Sequence, residues 1–408
     1  MMVKRNTGRA VIIGGGIAGL ATARVVAEHY QEVLVLDRDR LPETPAFRAG
    51  IPQALHAHTL LPYGQMVLEK LFPGLVSRLL AEGAPLIEED RDTLTIERGE
   101  MRGSLGKLFR PTVSCSRPML ERALYQEIAG YAQVRILQGS EVTGLTVDES
   151  SSRVSGVMLR SRMDPGAGRQ HLSASLVVDA SGRNSKAPQW LAALGYPAPE
   201  EWRIDAQAGY ASRIYRQPQG GLRPGWKKLN IVPSPPDEPR GGVILPLEGS
   251  RWHVTLFGFA GDVPPTDEAG FLEFARSLSS PELYEAIRAA EPLGRITGYR
   301  KNENRVRRFE NLPRYLEGLL VLGDAAYTMN PVYALGMTAA LVGSQVLDQV
   351  IQAARSTAGR TPAALSAVFQ RRLAASLANL WKQAVQGDWR WPATDISDNT
   401  EELYYQAV

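Results

Sequence analysis

Arg9-Ala-Val-Ile-Ile-Gly-Gly-Gly-Ile-Ala-Gly-Leu20 decides how the chain begins to fold. Residues 9–13 read as a short buried strand, and residues 17–29 as a helix with Leu20, Ala23 and Ala27 on one face. Between them Gly14, Gly16 and Gly19 satisfy the G-x-G-x-x-G spacing. Gly14 permits a tight turn, Gly16 lets the backbone approach a pyrophosphate, and Gly19 lets the helix pack close to the strand. Ile17 and Ala18 open the helix, whose unpaired N–H groups face the phosphate. Residues 32–36 form a second strand ending at Asp37, 18 residues beyond Gly19. An acid there can accept hydrogen bonds from a ribose hydroxyl. The opening is therefore a strand–helix–strand unit for a dinucleotide, with NAD and FAD equally compatible.

Composition narrows the class. The chain has 408 residues, 46 basic and 43 acidic, for a net charge of +3. That excess is too small to imply a nucleic-acid partner. Its single cysteine, Cys115, excludes an internal disulfide and a paired-cysteine redox centre, and reads as a small buried residue. Lys4, Arg5 and Arg9 ahead of the apolar run 10–20 mimic a signal peptide, but the glycines at 14, 15, 16 and 19 would break its helix. No apolar run reaches the roughly 18 residues that span a bilayer. The expectation is a soluble, cytoplasmic protein without a membrane span; oligomeric state is open. Five histidines with no clustered ligands predict no metal site.

Further along, a helical pattern covers 55–81, interrupted by Pro62 and Pro73. Residues 91–110 alternate like antiparallel strands, 117–130 return to a helix, and strands follow near 133–146. Residues 148–175 read as a hairpin turning at Asp164–Gly168, followed by a strand at 176–179. The Pro- and Gly-rich stretch 216–242 reads as a long loop, either a lid or a solvated connection. Strands at 242–247 and 252–259, a helix at 269–289 and a strand at 318–322 lead into helices to about 387. Residues 392–408 read as a poorly ordered tail. Arg305, Arg307 and Arg308 read as a solvated strand face. Trp381, Trp389 and Trp391 read as packing for the last helix.

Two later motifs match the first in character. In Val177-Val178-Asp179-Ala180-Ser181-Gly182-Arg183-Asn184-Ser185 an acid leaves a buried strand and enters a glycine turn. In Leu322-Gly323-Asp324-Ala325-Ala326 a glycine again permits a sharp exit, and Asp324 stands where a carboxylate can bond a sugar hydroxyl. Asn330-Pro331 follows, and a helix begins near Leu335–Gly336, its positive end directed back at the cleft.

Together the three motifs resemble those of the FAD-dependent monooxygenases of the para-hydroxybenzoate hydroxylase type. The resemblance implies an α/β fold: a Rossmann-like FAD-binding domain of the glutathione reductase type, an inserted antiparallel-sheet substrate domain and a helical C-terminus. On that scheme residues 1–85, 111–200 and 291–358 form the FAD domain, 86–110 and 201–290 the substrate sheet, and 359–408 a helical segment and tail. It implies that Gly14, Gly16, Ile17, Ala18, Gly19, Asp37 and Arg38 hold the ADP half of FAD. Asp179 would serve FAD and NAD(P)H pyrophosphates, and Gly323 and Asp324 the ribityl and pyrophosphate region. Arg117, in Ser116-Arg117-Pro118-Met119-Leu120, fits the family's Arg-x-x-Leu helix. Arg48, Gln53, Val142, Gly336 and Met337 complete the implied cofactor contacts.

Segments such as Arg48-x-Gly50-x-Pro52-Gln53-x-x-His56-x-His58 and Leu71-Phe72-Pro73-Gly74-Leu75 further resemble bacterial polyene epoxidases and their hydroxylase-like relatives. One departure stands out. Relatives carry Gly-Gln between the tyrosine and glycine of the segment that nears the flavin ring; here Ala334-Leu335 replaces it. The resemblance implies reduction of FAD by NAD(P)H, reaction with dioxygen to a C4a-hydroperoxide, and oxygen transfer to an apolar small molecule of secondary metabolism. No side-chain nucleophile is needed; His56, Pro331, Ala334, Leu335 and Gly336 are the flavin-proximal candidates. Tyr210, Leu245 and Pro246 are expected to wall the substrate pocket. Three alternatives remain: a reductase of isoprenoid double bonds, a flavin halogenase, and a non-redox cyclase or ligand-binding flavoprotein. The reductases' Trp-x-Phe-Pro-Lys and the halogenases' Trp-x-Trp-x-Ile-Pro segments are both missing.

Overall fold

The computed structural model describes residues 6–396 except 43, 103–109, 223–224, 301 and 357–363. Residues 397–408, most of the expected tail, and 103–109 of the expected strand region lie outside them. The opening unit forms as its pattern requires. Asn6–Ile13 is a strand, Ile17–Val26 a helix and Tyr30–Leu36 a second strand. Ala10, Val11 and Ile12 are wholly buried, because a parallel strand covered on both faces needs a continuous apolar run.

Five parallel strands form the central sheet in the order Leu319–Val321, Leu176–Asp179, Asn6–Ile13, Tyr30–Leu36, Val134–Leu137. This order places the ends of three strands side by side: Ile13, Asp179 and Val321. All three motifs therefore leave the same sheet edge, although more than 300 residues separate the first from the last. The long helix Gly336–Ser356 packs on Ile17–Val26, with Thr22 Oγ1 and Ser344 Oγ hydrogen bonded at 3.2 Å inside the contact.

A seven-stranded sheet carries the second core. Its order is Thr297–Tyr299, Gly209–Arg216, Arg251–Gly258, Arg240–Leu247, Lys228–Val232, Thr93–Glu97, Glu100–Met101. Helices Glu268–Arg276 and Glu282–Ile287 cover one face, burying Phe271, Phe274 and Leu283 against Ile244, Val254 and Leu256. The fold is thus α/β, a Rossmann-like parallel sheet joined to antiparallel sheets and closed by the helix Leu365–Trp389.

Several local expectations need correction. The stretch 216–242 is not one loop: Lys228–Val232 is an interior strand, parallel to Thr93–Glu97 and antiparallel to Arg240–Leu247. Flanking Pro and Gly hid its period of two, in which Leu229 and Ile231 point into the core. The helical pattern at 55–81 splits into a short turn Pro52–Leu55 and helices Pro62–Leu71 and Leu75–Ala81. Pro62 opens a helix and Gly74 turns between the two in the left-handed region. The pattern at 269–289 breaks likewise before Pro281.

The arginines of Asn304–Arg307 are not a solvated face. Arg307 is buried, donating to Glu201 at 3.0 Å and to the Ala325 carbonyl at 3.1 Å, and Arg308 stacks 3.6 Å over the Trp202 ring. That strand pairs with Glu201–Asp205, which also pairs with Asp395–Ile396, so the expected tail begins as sheet. No helix among the described residues is long and apolar enough to cross a membrane.

Candidate functional site

Where the three strand ends meet, the chain leaves a cavity of about 650 Å³, within the usual range for small-molecule and cofactor sites, about 300–1,000 Å³. Its first end is the glycine turn. Gly14 adopts φ +102°, and a Cβ there would stand 2.6 Å from the Ala180 carbonyl oxygen. A Cβ on Gly19 would stand 1.7 Å from the Gly14 carbonyl oxygen, so only glycine lets helix and turn touch. Gly16 meets nothing nearer than Ile51 Cδ1 at 3.8 Å, which leaves room beside the first helical N–H groups.

Asp37 is buried beside this turn. It accepts from Gly15 N at 2.8 Å, Asp39 N at 2.8 Å and Arg48 Nη1 at 2.8 Å. Arg48 also donates to the Gly15 carbonyl at 3.0 Å. Burial works against its charge, but Glu121, Asp37 and Asp39 together hold its pKa above the ordinary arginine value. Such a buried pair is costly to break, about 3–5 kcal/mol, because one partner is left charged and unmatched. Arg117 lines the cavity next door and, among the described residues, donates its Nε to Glu121 at 2.7 Å.

At the middle of the cavity stands Asp324. Burial pushes its carboxyl above the usual range, partly offset by Arg183, Arg117 and Arg305. No described hydrogen bond reaches its carboxylate, and a Cβ on Gly336 would lie 3.8 Å from its Oδ1. A half-buried acid without a protein donor, at the start of a 21-residue helix, suits a polyhydroxyl ligand. Asp179 is placed differently. It does not line the cavity; wholly buried, it accepts from Ser181 N at 2.9 Å and Ser185 Oγ at 2.5 Å, holding the turn that brings Ala180, Ser181 and Gly182 there. Burial raises its pKa, against those same hydrogen bonds.

Beyond Asp324, the segment 331–337 forms one wall. Pro331, Ala334, Gly336 and Met337 line the cavity. Leu335 does not: it is wholly buried in the main core. The residue whose amide is replaced therefore faces inward. Ala334 sits in the left-handed region at φ +55°, where glycine would be at ease and alanine carries a strain of about 1–2 kcal/mol.

The far end is apolar. Leu245, Phe257, Phe259, Met329 and Val332 line it, with Tyr210 and His56 opposite. Pro246 does not; its carbonyl accepts from Ser114 Oγ at 2.6 Å. Trp391, expected to pack the last helix, instead lines the cavity and stacks on Phe259 with ring centroids 4.7 Å apart. Trp381 does pack, edge-on to Tyr327. His56 closes a ring cluster, 4.6 Å from Tyr210 and 5.6 Å from Tyr299. Its Nδ1 meets Ser212 Oγ at 2.8 Å and its buried Nε2 has no protein partner. Burial, with His253 nearby, pushes its pKa down to about 3, so the ring is neutral.

Of the remaining sequence candidates, Ile17, Ala18, Arg38, Gln53 and Val142 line the cavity, whereas Gly19 and Gly323 stand behind it as packing glycines. Sequence reading missed Lys228, Asn230 and Phe259. Lys228 and Asn230 lie on a strand of the distant sheet and Phe259 just past the end of another, and no local motif marks them. Cys115 is half-buried, its thiol pushed up to about 12 by burial, and has no part in the site.

The chain matches the FAD binding domain family over residues 8–360. It is 33% identical to Protein Rv3254 of Mycobacterium tuberculosis over 388 residues, covering 93% of this chain and 80% of that one. Its fold is similar to Pseudomonas aeruginosa PqsL in complex with 2-aminobenzoylacetate, at TM-score 0.69 and 18% identity, covering 94% of this chain and 100% of that one. It is also similar to the myxobacterial chondrochloren halogenase CndH, at TM-score 0.70 and 18% identity, covering 98% and 86%. The cradle fits FAD on its own terms: open space at Gly16, an unmatched acid at Asp324, and a cavity long enough to join them. By the extent of these matches the chain belongs to the FAD binding domain family, the para-hydroxybenzoate hydroxylase-type flavoproteins, and is an FAD-dependent oxidoreductase.

Proposed function

We propose that the protein is an NAD(P)H-using monooxygenase that hydroxylates or epoxidises an apolar small molecule. The observation that carries the reading is the continuity of the cavity: one hollow runs from the glycine turn, past Asp324 and Ala334, into the chamber of Leu245, Phe257, Phe259 and Trp391. When bound, FAD supplies hydride acceptance and, once reduced, activation of dioxygen.

The protein's own residues bind, orient and keep the site dry. Gly14–Ala18 and the adjoining helix start offer N–H groups to the pyrophosphate. Asp37 and Asp324 would accept from hydroxyls along the ligand, Arg117 would face its charge, and Arg48 would hold Asp37 and the Gly15 carbonyl in place. The N-terminal end of Gly336–Ser356, which opens on the cavity, would favour negative charge on the bound group. The aromatic walls exclude water and hold an apolar substrate by burial. His56 packs as a neutral ring against Tyr210 and Tyr299 at this wall, with its unmatched Nε2 buried away from the hollow.

The test is direct. The purified, FAD-loaded protein is mixed in air with NADH or NADPH and a panel of phenols and polyenes. Substrate-stimulated pyridine-nucleotide oxidation with a one-oxygen mass gain supports the reading. Flavin that neither nucleotide reduces, with or without ligand, overturns it. Likeness to CndH favours halogenation as a second reading; adding bromide to the same assay separates them, since a halogenase yields a bromine-containing product.

A further inference from the structure

Asp388 is a buried ionisable group that the reading above leaves unused. It lies in the last turn of Leu365–Trp389, where a helix end disfavours negative charge, and is wholly buried. Three neutral donors converge on it. Asn304 Nδ2 donates to Oδ2 at 2.6 Å; Asn330 Nδ2 and the Tyr333 hydroxyl donate to Oδ1 at 3.0 and 2.7 Å. Asn304 and Asn330 are wholly buried too, and Asn304 Oδ1 accepts from Asn330 N at 2.7 Å. Asn330 Oδ1 accepts from Val332 N at 3.2 Å, and Pro331 O from Ala334 N at 3.0 Å. The neighbouring Gly387 is shaped for this contact: a Cβ there would stand 2.4 Å from Tyr333 Cζ.

We propose that Asp388 is the positioning residue for segment 330–334, fixing Tyr333 and Asn330 so that the backbone at Ala334 meets the flavin at a set distance. The proposal rests on FAD occupying this cavity, but not on any reaction that the flavin performs. All three partners are donors, so only the ionised carboxylate satisfies all three at once. Protonation obliges one to let go or the Tyr333 hydroxyl to turn and accept instead. Burial, with Asp205 adding repulsion, moves the Asp388 pKa up to about 7 against the three hydrogen bonds. Among the described residues, the one charged side chain acting on the Asp388 carboxyl is Asp205, while Arg390 acts on the Tyr333 hydroxyl. The segment is therefore held most firmly above pH 7.

The experiment uses the full chain. FAD affinity and the visible flavin spectrum are followed from pH 5.5 to 8.5 in the wild type, Asp388→Asn and Tyr333→Phe. The expected wild-type result is a titration of both readouts centred near pH 7. Asp388→Asn should abolish the titration and weaken FAD about tenfold, the size of one charge-assisted hydrogen bond. Tyr333→Phe removes one bond to the charged form, so it should move the midpoint upward and keep the titration. A wild-type spectrum flat across this range, or an Asp388→Asn protein with unchanged affinity and titration, overturns the proposal. Should Asp388→Asn fail to fold, an unmoved midpoint in Tyr333→Phe overturns it equally.

Discussion

At the residue scale, two positions separate backbone needs from chemical ones. Ala334 occupies left-handed backbone that glycine favours. Ala334→Gly should raise stability by about 0.5–1 kcal/mol, the relieved strain less glycine's extra chain entropy, read from the urea midpoint. Leu335 faces the core, so Leu335→Gln should not restore any flavin contact. It should cost about 1–3 kcal/mol through a buried, unmatched amide. A stable Leu335→Gln protein with altered oxygen reactivity would contradict this placement. Asp324 is the opposite case, a polar group kept for a ligand. Asp324→Ala should lower FAD occupancy on purification, and full retention of flavin would refute the assigned role.

Elements show what the sequence disclosed and what it withheld. The glycine turn was legible because its three requirements lie within six residues: a turn, a close approach and a helix start. The Asp324 turn was legible for the same reason. The strand Lys228–Val232 was not, because its identity comes from Leu229 and Ile231 meeting a core assembled from distant strands. Trp391 was misread for a related reason. Its partner Phe259 lies more than 130 residues away, and nothing near 391 announces the stack. Asp179 shows a subtler limit: the motif was found, but whether its acid faces ligand or its own turn depends on the strand beside it. At this scale Gly387→Ala should push the Tyr333 ring aside and destabilise the protein by about 1–3 kcal/mol. A crystal structure with Tyr333 unmoved would disprove that packing.

For the whole molecule, buried imidazoles set the pH response. Burial, chiefly, holds His56 and His58 near pKa 3 and His253 near 4. Between those values and the unfolded value of about 6.5, the unfolded chain binds three protons that the folded chain refuses. Asp388, raised to about 7, works the other way and returns one, and Asp179 and Asp324, whose carboxyls burial also raises, act in the same sense. Stability should therefore be full above pH 6.5 and fall as pH drops, by about 1.4 kcal/mol per pH unit for each uncompensated proton. Denaturant midpoints should fall clearly between pH 7 and 5; a level profile would show that the histidines are hydrated.

The cavity draws its wall from Gly14–Ala18, from Asp324 and much of 329–337, and from Gly387, Arg390 and Trp391. During synthesis the glycine turn emerges first and waits for partners made last. FAD can thus be gripped fully only after residues 387–391 have left the ribosome. Nascent chains stalled before Trp391 should therefore be colourless.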